Sequence, residues 1–350
     1  MLREWPTPPV ADPEPAGAPS WLIFVTHGIG EGLLNPTGDE EVGAIRFRRK
    51  VNMLRKGINS ALSKRNLEAS ASCPALGRIE LLPIEWLMAT HSESMVKTLQ
   101  RSALPTLERA RDFVNLAMRD GFLYMQPEWQ NRVLKETREQ LDEKLQIFCK
   151  YNPDFKDRRL RGEAGIALLG HSLGTVILCD LLSSTNDFRP DALFMFGSPT
   201  ALFACIRGHV SLPGPPVKPT FNIFHPHDPI AYRLEPLLTA DSFKLQPARV
   251  PYQGGQRLHV ALGNFGSAIA GWWGGGVGSG GAGDVNVEEI EKLNGGFRVD
   301  WEIQPSPGEA ASEWLSAVSS HFTYWTHEDV LNFVVEKLQA VTEKRSARFF

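Results

Sequence analysis

The segment from Ile166 to Ile177 constrains the fold of this chain most, because it predicts a strand, a sharp turn and a helix in succession. Four apolar residues are typical of a buried strand, and the apolar residues that close the segment recur at helical spacing. Between them lies a Gly-x-Ser-x-Gly pattern centred on Ser172. Such a turn lifts a serine hydroxyl clear of the sheet, and it needs Gly170 and Gly174 because side chains there would collide with the backbone. We therefore predict that Ser172 is a nucleophile.

Two main-chain N–H groups are candidates for binding an oxyanion beside this serine. The Leu173 N–H lies at the start of the predicted helix, where it points at the position of a developing negative charge. The second candidate is the Ile29 N–H, because the apolar strand 21–25 runs into a Thr-His-Gly-Ile-Gly loop of the kind that supplies it. We expect His27 to fix this loop by hydrogen bonding rather than to act as a base. The alternative is an ordinary glycine turn.

An acid and a base follow the serine in the order Ser…Asp…His, which is the order of α/β-hydrolases. Asp228 stands just past the predicted strand 220–224, where the acid of a catalytic triad belongs in an open α/β sheet. His321 lies in a loop before the last helix and is the predicted base. His327, expected in the first turn of that helix after Thr326, is its rival. An imidazole must remove the proton of a serine hydroxyl, and a carboxylate must fix the imidazole tautomer.

Alternating strands and helices predict the α/β class, here an α/β-hydrolase fold with a mostly parallel sheet and helices on both faces. A helical insertion is expected before the nucleophile turn. The predicted strands are residues 21–25, 79–84, 166–169, 192–196, 220–224 and 297–303. A solvent-exposed helix is expected over 46–67. Further helices are expected to begin at about 105 and at about 127, and the last helix is expected over 330–338. The predicted organisation is a Pro-rich arm 1–20, one domain 21–342 with its insertion about 95–150 and a Gly/Trp-rich loop about 262–284, and a tail 343–350.

Composition excludes several classes of protein. The chain has 350 residues, 42% of them hydrophobic, and a formal net charge of −3, so it has no basic excess with which to bind nucleic acid. Its four cysteines are widely spaced, which favours a reducing compartment. We find no signal peptide and no run of 18 apolar residues, and predict a cytoplasmic protein that is at most peripheral to membranes. Trp272 and Trp273 lie either in a disordered surface loop or in a flap that dips into lipid.

Two other classes of function remain as alternatives. A metal-dependent phosphohydrolase would use three carboxylates and an imidazole as ligands, namely Asp228, Asp300, His321 and Asp329. Metal ligands must converge, and nothing in their spacing shows convergence, so we predict no metal and no other cofactor. The third class is a non-catalytic lipid-binding module.

Several strings of this sequence, taken together, resemble the DDHD-domain family of intracellular phospholipases, the phosphatidic-acid-preferring phospholipase A1 group. The four letters match Asp228, Asp300, His321 and Asp329 in that order, and the resemblance runs from about residue 21 to about residue 338. The strings are His27-Gly28-Ile29-Gly30, Leu82-Pro83-Ile84-Glu85-Trp86, Leu104-Pro105-Thr106, Asn152-Pro153-Asp154-Phe155-Lys156, Gly170-His171-Ser172-Leu173-Gly174, Phe196-Gly197-Ser198-Pro199, the segment 225–236 and Tyr324-Trp325.

The resemblance implies phospholipase A1-type hydrolysis of the fatty acyl ester at the sn-1 position of a glycerophospholipid, phosphatidic acid especially, with triacyl- or diacylglycerol as alternative substrates. It also implies a cytosolic protein that visits organelle membranes, with lipid as its partner. Asp300 and Asp329 are then structural or support the triad, and Asp329 alternatively caps the last helix from three residues past Thr326. Arg233 is a candidate contact for a phosphate headgroup, with an ion pair to Glu235 or another acid as the alternative.

Overall fold

The computed structural model describes residues 17–28, 40–70, 75–86, 98, 101–102, 120–184, 188–252, 287–305 and 320–347, with the side chains of 40–44 excepted. The strands are β1 Pro19–Thr26, β2 Arg78–Ile84, β3 Gly165–His171, β4 Ala192–Phe196, β5 Thr220–Phe224, β6 Ala248–Arg249 and β7 Asp300–Glu302. The α-helices are α1 Glu40–Leu67, α2 Pro127–Tyr151, α3 Phe155–Leu160, α4 Leu173–Ser184, α5 Thr200–Ile206, α6 Glu235–Leu238, α7 Val287–Leu293 and α8 Glu328–Ser346. Two 3₁₀ helices span Ala240–Lys244 and Thr323–Trp325.

The seven strands form one sheet in the order β2-β1-β3-β4-β5-β7-β6, and every neighbouring pair is parallel. The α/β class and the parallel sheet predicted from the sequence are therefore confirmed. Because the strands are parallel, their carboxyl ends lie at one edge, where ligands of open α/β sheets bind. The segments that contain His27, Ser172 and Asp228 all follow strand ends at this edge.

Helices cover both faces of the sheet, as predicted. On one face, alternate residues of β1 such as Trp21 and Ile23 pack with apolar residues of α1 and α8. On the other face, Leu22 and Phe24 of the same strand pack with apolar residues of α2 and α4. Strands that are buried on both faces have nearly continuous apolar sequences. Most of the strands could be predicted from the sequence for this reason.

Helix α1 differs from its prediction as a solvent-exposed helix. It buries apolar residues at positions 47, 51, 54 and 58 in the core. Gly57 allows a close approach to the last helix, since a Cβ at this position would lie 2.2 Å from Leu331 Cδ1. The prediction was wrong because the lysines and arginines of the opposite face dominate the sequence of this helix.

The strands at the edge of the sheet differ from their prediction. The predicted strand 297–303 is shorter, as β7, and the two-residue strand β6 was missed because it contains no apolar run.

The thiols of Cys149, Cys179 and Cys205 are free. Within the described part of the chain, no helix combines the length and the apolar character needed to cross a bilayer.

Candidate active site

Ser172 occupies the sharp turn that the Gly-x-Ser-x-Gly pattern predicts. It lies between the last residue of β3 and the first residue of α4, and its φ of 54° is the only positive φ among the described non-glycine residues. Its N–H donates to the Phe196 carbonyl at 2.9 Å, which ties the turn to the end of β4. A left-handed backbone conformation is costly for a residue with a Cβ and tends to be retained at functional sites.

Close backbone packing around the turn requires glycine at three positions. A Cβ at Gly174 would lie 2.5 Å from the His27 carbonyl oxygen, and one at Gly170 would lie 2.9 Å from Thr175 N. A Cβ at Gly28 would lie 2.4 Å from Ser172 Cβ and 3.1 Å from its Oγ. Gly28, the second residue after β1, therefore lies directly against the serine.

A cluster of hydroxyl groups supports the turn from below. Thr175 Oγ1 donates to the Ser172 carbonyl at 2.7 Å and lies 2.7 Å from Ser198 Oγ. Ser198 in turn donates to Thr200 Oγ1 at 2.8 Å. These contacts support the prediction that Ser198 is structural.

The predicted acid and base are in direct contact. His321 Nδ1 lies 2.9 Å from both carboxylate oxygens of Asp228, and both side chains are buried. Asp228 also accepts hydrogen bonds from the Ile230 N–H at 2.9 Å and from the Tyr324 hydroxyl at 2.6 Å. Burial acts to raise the pKa of Asp228, but the hydrogen bond and charge of His321, together with Tyr324 and the Ile230 N–H, lower this pKa below its usual value.

The base lies beside the nucleophile strand through His171, the neighbour of Ser172. His171 Nε2 is 2.7 Å from the His321 main-chain oxygen, and the two imidazole centroids are 4.7 Å apart. Among the described residues, no hydrogen bond joins the His321 ring to Ser172 Oγ. Catalytic hydrogen bonds are often long without substrate and tighten when it binds, so this arrangement is compatible with a serine–histidine pair.

His27 fixes the loop after β1, as expected. Its Nδ1 lies 2.8 Å from the Gly28 carbonyl oxygen, its ring stacks on Trp86 at 4.7 Å, and Trp86 Nε1 donates to the His27 carbonyl at 2.9 Å. The second predicted oxyanion donor, Ile29, lies outside the described residues. So do Trp272 and Trp273, the predicted membrane-loop residues.

Asp300 lies in a buried network of charges and is joined to the segment that follows Asp228. Its Oδ1 accepts from Asn222 Nδ2 and from the Leu234 N–H, each at 2.9 Å, and its Oδ2 accepts from the Glu235 N–H at 3.1 Å. Burial and the neighbouring Glu235 carboxylate raise the pKa of Asp300 to about 6, against these hydrogen bonds. These contacts support a structural role for Asp300.

Arg233 belongs to the same network. Its Nε is 3.2 Å from Asp300 Oδ2 and its Nη2 is 3.5 Å from Glu235 Oε2, while Nη2 also donates to the Ser242 carbonyl at 3.1 Å. The guanidinium is occupied by these partners, which supports the ion-pair alternative over the headgroup contact.

The start of the last helix differs from its prediction. Helix α8 begins at Glu328 with His327 at its N-cap, and within the described part of the chain the side chain of this N-cap residue makes no capping hydrogen bond. The predicted capping pair of Thr326 and Asp329 is therefore in the wrong register by one residue. Asp329 is buried in the first turn, where a negative charge is favourable.

The four residues of the alternative metal site are not gathered around one point. Within the described ranges, no group of three or more His, Cys, Asp or Glu side chains is arranged to hold a metal ion. The carboxylate of Asp300 is engaged with main-chain N–H groups, which would have to be released for it to bind a cation.

Sequence reasoning missed two residues of this site, Tyr324 and His171. Both residues lie in strings that carry the family resemblance. Tyr324 is three residues after the proposed base, and His171 is next to the proposed nucleophile. Their proximity in sequence to Ser172 and His321 was the available signal.

Comparison with known proteins bears on this arrangement. The sequence model of the DDHD domain matches residues 187–281 and 278–339. Over these residues the chain is similar to the DDHD domain. The resemblance predicted from the sequence is thereby confirmed, and the matched part includes Asp228, Asp300, His321 and Asp329.

The relatives are similar to this chain at low identity, and two of the three named below cover more than nine tenths of it. A mitochondrial probable phospholipase of Saccharomyces cerevisiae is 25% identical over 93% of this chain and 50% of its own length. Triacylglycerol hydrolase DDHD2 of Mus musculus is 23% identical over 91% of this chain and 67% of its own length. Phospholipase DDHD1 of Homo sapiens is 22% identical over 65% of this chain and 31% of its own length. The chain thus spans about half the length of the yeast relative. No solved structure matches.

Proposed function

We propose that this DDHD-domain chain is a serine lipid hydrolase with an α/β-hydrolase fold, which cleaves a fatty acyl ester of a glycerophospholipid through an acyl-serine intermediate. The observation that carries the proposal is the contact of His321 with Asp228 beside the left-handed turn at Ser172. Ser172 and Asp228 follow the ends of parallel strands, and His321 precedes the last helix. This is the arrangement that such an enzyme needs.

The chemistry assigns a role to each of these groups. The Asp228 carboxylate accepts a hydrogen bond from Nδ1 of His321, which leaves Nε2 free to take the proton of the Ser172 hydroxyl. Ser172 Oγ then attacks the ester carbonyl carbon, and the resulting oxyanion is bound by the Leu173 N–H. This N–H is in the first turn of α4, where N–H groups have no partner within the helix. The ester bond to the alcohol oxygen then breaks, and His321 gives its proton to the leaving alcohol, which leaves an acyl-serine. His321 next takes a proton from water, the water oxygen attacks the acyl carbon, and the bond to Ser172 Oγ breaks as His321 returns the proton to the serine, which releases the fatty acid.

The substrate class rests on the relatives and on the site together. Relatives are named phospholipases, which favours a phospholipid substrate, and phosphatidic acid is the one that the family resemblance implies. The mouse relative is named a triacylglycerol hydrolase, and this observation favours an acylglycerol lipase as the second candidate. Both activities would use the same serine, histidine and aspartate.

We further propose that residues 21–342 fold as one domain, and that the protein acts at organelle membranes from the cytoplasmic side. Lipid substrates must be reached at a membrane surface, and the described part of the chain has no helix able to cross one. Leu173 is proposed as the first oxyanion donor and Ile29 as the second.

A lipid panel tests the proposed activity. Fatty acid release is measured from vesicles of phosphatidic acid, of phosphatidylcholine and from triacylglycerol emulsions, with and without EDTA. We expect release that survives EDTA and falls by at least about 10³-fold in Ser172→Ala. Ser183→Ala, which changes an exposed serine at the end of α4, is the matched control and should retain full activity.

Each other outcome contradicts the proposal in a defined way. Release that is lost with EDTA and kept in Ser172→Ala would favour a metal-dependent phosphohydrolase. Vesicle binding without any hydrolysis would favour a lipid-binding module. Preference for triacylglycerol over both phospholipids would select the acylglycerol lipase.

A further inference from the structure

The histidine of the Gly-His-Ser-Leu-Gly turn has a contact that the proposed reaction does not use. His171 is the last residue of β3 and is 1% exposed. Its Nε2 lies 2.7 Å from the main-chain oxygen of His321, 150 residues later in the chain. The contact joins the residue next to the nucleophile to the main chain of the base.

The chemistry of the contact fixes the protonation of His171. Burial, the neighbouring His321 imidazole and the charge of Lys50 lower the pKa of His171 well below its usual value, against the hydrogen bond to the His321 carbonyl and the charge of Asp228. A neutral imidazole has one N–H, and a carbonyl oxygen only accepts. The proton must therefore be on Nε2, which leaves Nδ1 without a proton, and this buried atom has no hydrogen-bond partner among the described residues.

The position of His321 needs a connection to the nucleophile that Asp228 does not provide. The Asp228 carboxylate orients the imidazole of His321, but Asp228 follows β5, whereas Ser172 follows β3, two strands away in the sheet. Small shifts between these strand ends would change the gap between Nε2 of the base and Oγ of the serine. The contact of His171 joins the main chain of His321 to the residue next to Ser172, and it can therefore limit such shifts.

We propose that His171 is a positioning residue for the Ser172–His321 pair, which it holds in register by donating its Nε2–H to the main-chain carbonyl of His321. This inference rests on the proposed catalytic roles of Ser172 and His321. His171 does not touch the reacting atoms and takes no proton in the reaction.

The matched variants His171→Gln and His171→Met test this role. Their side chains have nearly the same length and volume, but only glutamine carries an N–H at the position of Nε2. The readout is the rate of covalent labelling by a fluorophosphonate, which depends on the serine and its base and not on the lipid. It is measured together with kcat and KM for a short-chain nitrophenyl ester, and with the thermal midpoint.

We expect the glutamine variant to label within about threefold of the wild-type rate. The methionine variant should lose about 10²-fold in labelling rate and in kcat with KM little changed, which is the cost of a 1 Å misplacement of a reacting group. Equal rates in the two variants, whether both high or both low, would overturn the proposal, because the donor would then not matter.

A measurement on the unmodified protein covers the case in which the variants do not fold. In ¹⁵N-histidine spectra at neutral pH, His171 should show the neutral form with its proton on Nε2. A proton on Nδ1, or a charged ring, would overturn the inference.

The result is separable from the proposed function. Wild-type protein that labels with fluorophosphonate yet releases no fatty acid from any lipid would contradict the lipid substrate, while the comparison of the glutamine and methionine variants would still decide the role of His171.

Discussion

Tyr324 stabilises the charged form of the proposed catalytic acid. Its hydroxyl donates to Asp228 Oδ2 at 2.6 Å and accepts from the His225 N–H at 3.0 Å. Burial and the charge of Asp228 raise the pKa of Tyr324 well above its usual value, so the hydroxyl keeps its proton and remains a donor. The bond is one of those that lower the pKa of Asp228 in the folded protein.

Replacing Tyr324 by phenylalanine should therefore have an effect that depends on pH. The ionised Asp228 carboxylate stabilises the fold above the pKa of an unfolded aspartate, near 4, and this stability is lost as pH falls through the lower folded pKa. We expect Tyr324→Phe to cost about 2 kcal/mol of unfolding free energy at pH 7, and less at pH 3.

Denaturant titrations at the two pH values measure this difference. The His225 N–H also loses the tyrosine oxygen in this variant, and that loss is the same at both pH values, so only the change with pH reports on Asp228. An equal cost at pH 7 and pH 3 would contradict the role given to Tyr324.

At the residue scale, the sequence predicted the members of the proposed triad, and it did not predict the residues that contact them. Ser172, Asp228 and His321 were predicted as a set from motif and chain order, and the contact between Asp228 and His321 is present. The bond of Tyr324 joins residues 96 positions apart, and no local pattern marks such a contact.

The junction of β1, β3 and α4 is the element on which the shape of the site depends. Helix α4 starts so close to the end of β1 that a Cβ at Gly174 would lie 2.5 Å and 2.8 Å from the carbonyl oxygens of His27 and Thr26. Both neighbours are main-chain atoms, which cannot rotate away as the end of a side chain does.

The substitution Gly174→Ala should push the helix and the loop after β1 apart. We expect a loss of about 1–3 kcal/mol of unfolding free energy and a slower reaction of Ser172 with fluorophosphonate. Gly214→Ala is the matched control, because a Cβ there meets no atom within 4 Å. Normal stability and labelling of Gly174→Ala would show that the junction is less tightly packed than described.

At the element scale, predictability followed burial. Strands β3, β4 and β5 are buried along their whole length, and their apolar runs predicted them well. Strand β6 is two residues long and partly exposed, so it left no signal. The spacing of apolar residues predicted helix α1. Its buried face was not predicted, because that face is defined by contact with α8, which is distant in the sequence.

A buried network of charges connects the neighbouring strands β5 and β7 with the segment that follows Asp228. Arg298 binds both carboxylate oxygens of Glu235 at 2.9 Å and 2.8 Å, and Glu235 Oε1 also accepts from the Asp300 N–H at 3.1 Å. Asp300 in turn holds Asn222 of β5. The network connects β5, β7 and the segment after Asp228, and chain order alone does not show that these residues meet.

The substitution Asp300→Asn should separate structural from catalytic roles. The amide keeps an oxygen for Asn222 and Leu234 but turns its NH₂ group toward the Glu235 N–H, so we expect a loss of about 3 kcal/mol of unfolding free energy. Labelling of the folded protein by fluorophosphonate should stay within about threefold of the wild-type rate. Asp241→Asn, at an exposed position, is the control. Loss of labelling in a variant of unchanged stability would place Asp300 in the chemistry instead.

The order of the strands has a consequence for how this protein is divided. The part matched by the DDHD domain, 187–339, begins after β3, so it includes the acid and the base but not Ser172. It also leaves out β1, β2 and β3, which form one side of the sheet. A fragment cloned on those boundaries would leave the edge of β4 that pairs with β3 without a partner strand and would lack the proposed nucleophile. We expect such a fragment to be insoluble and inert, so expression trials should begin upstream of β1.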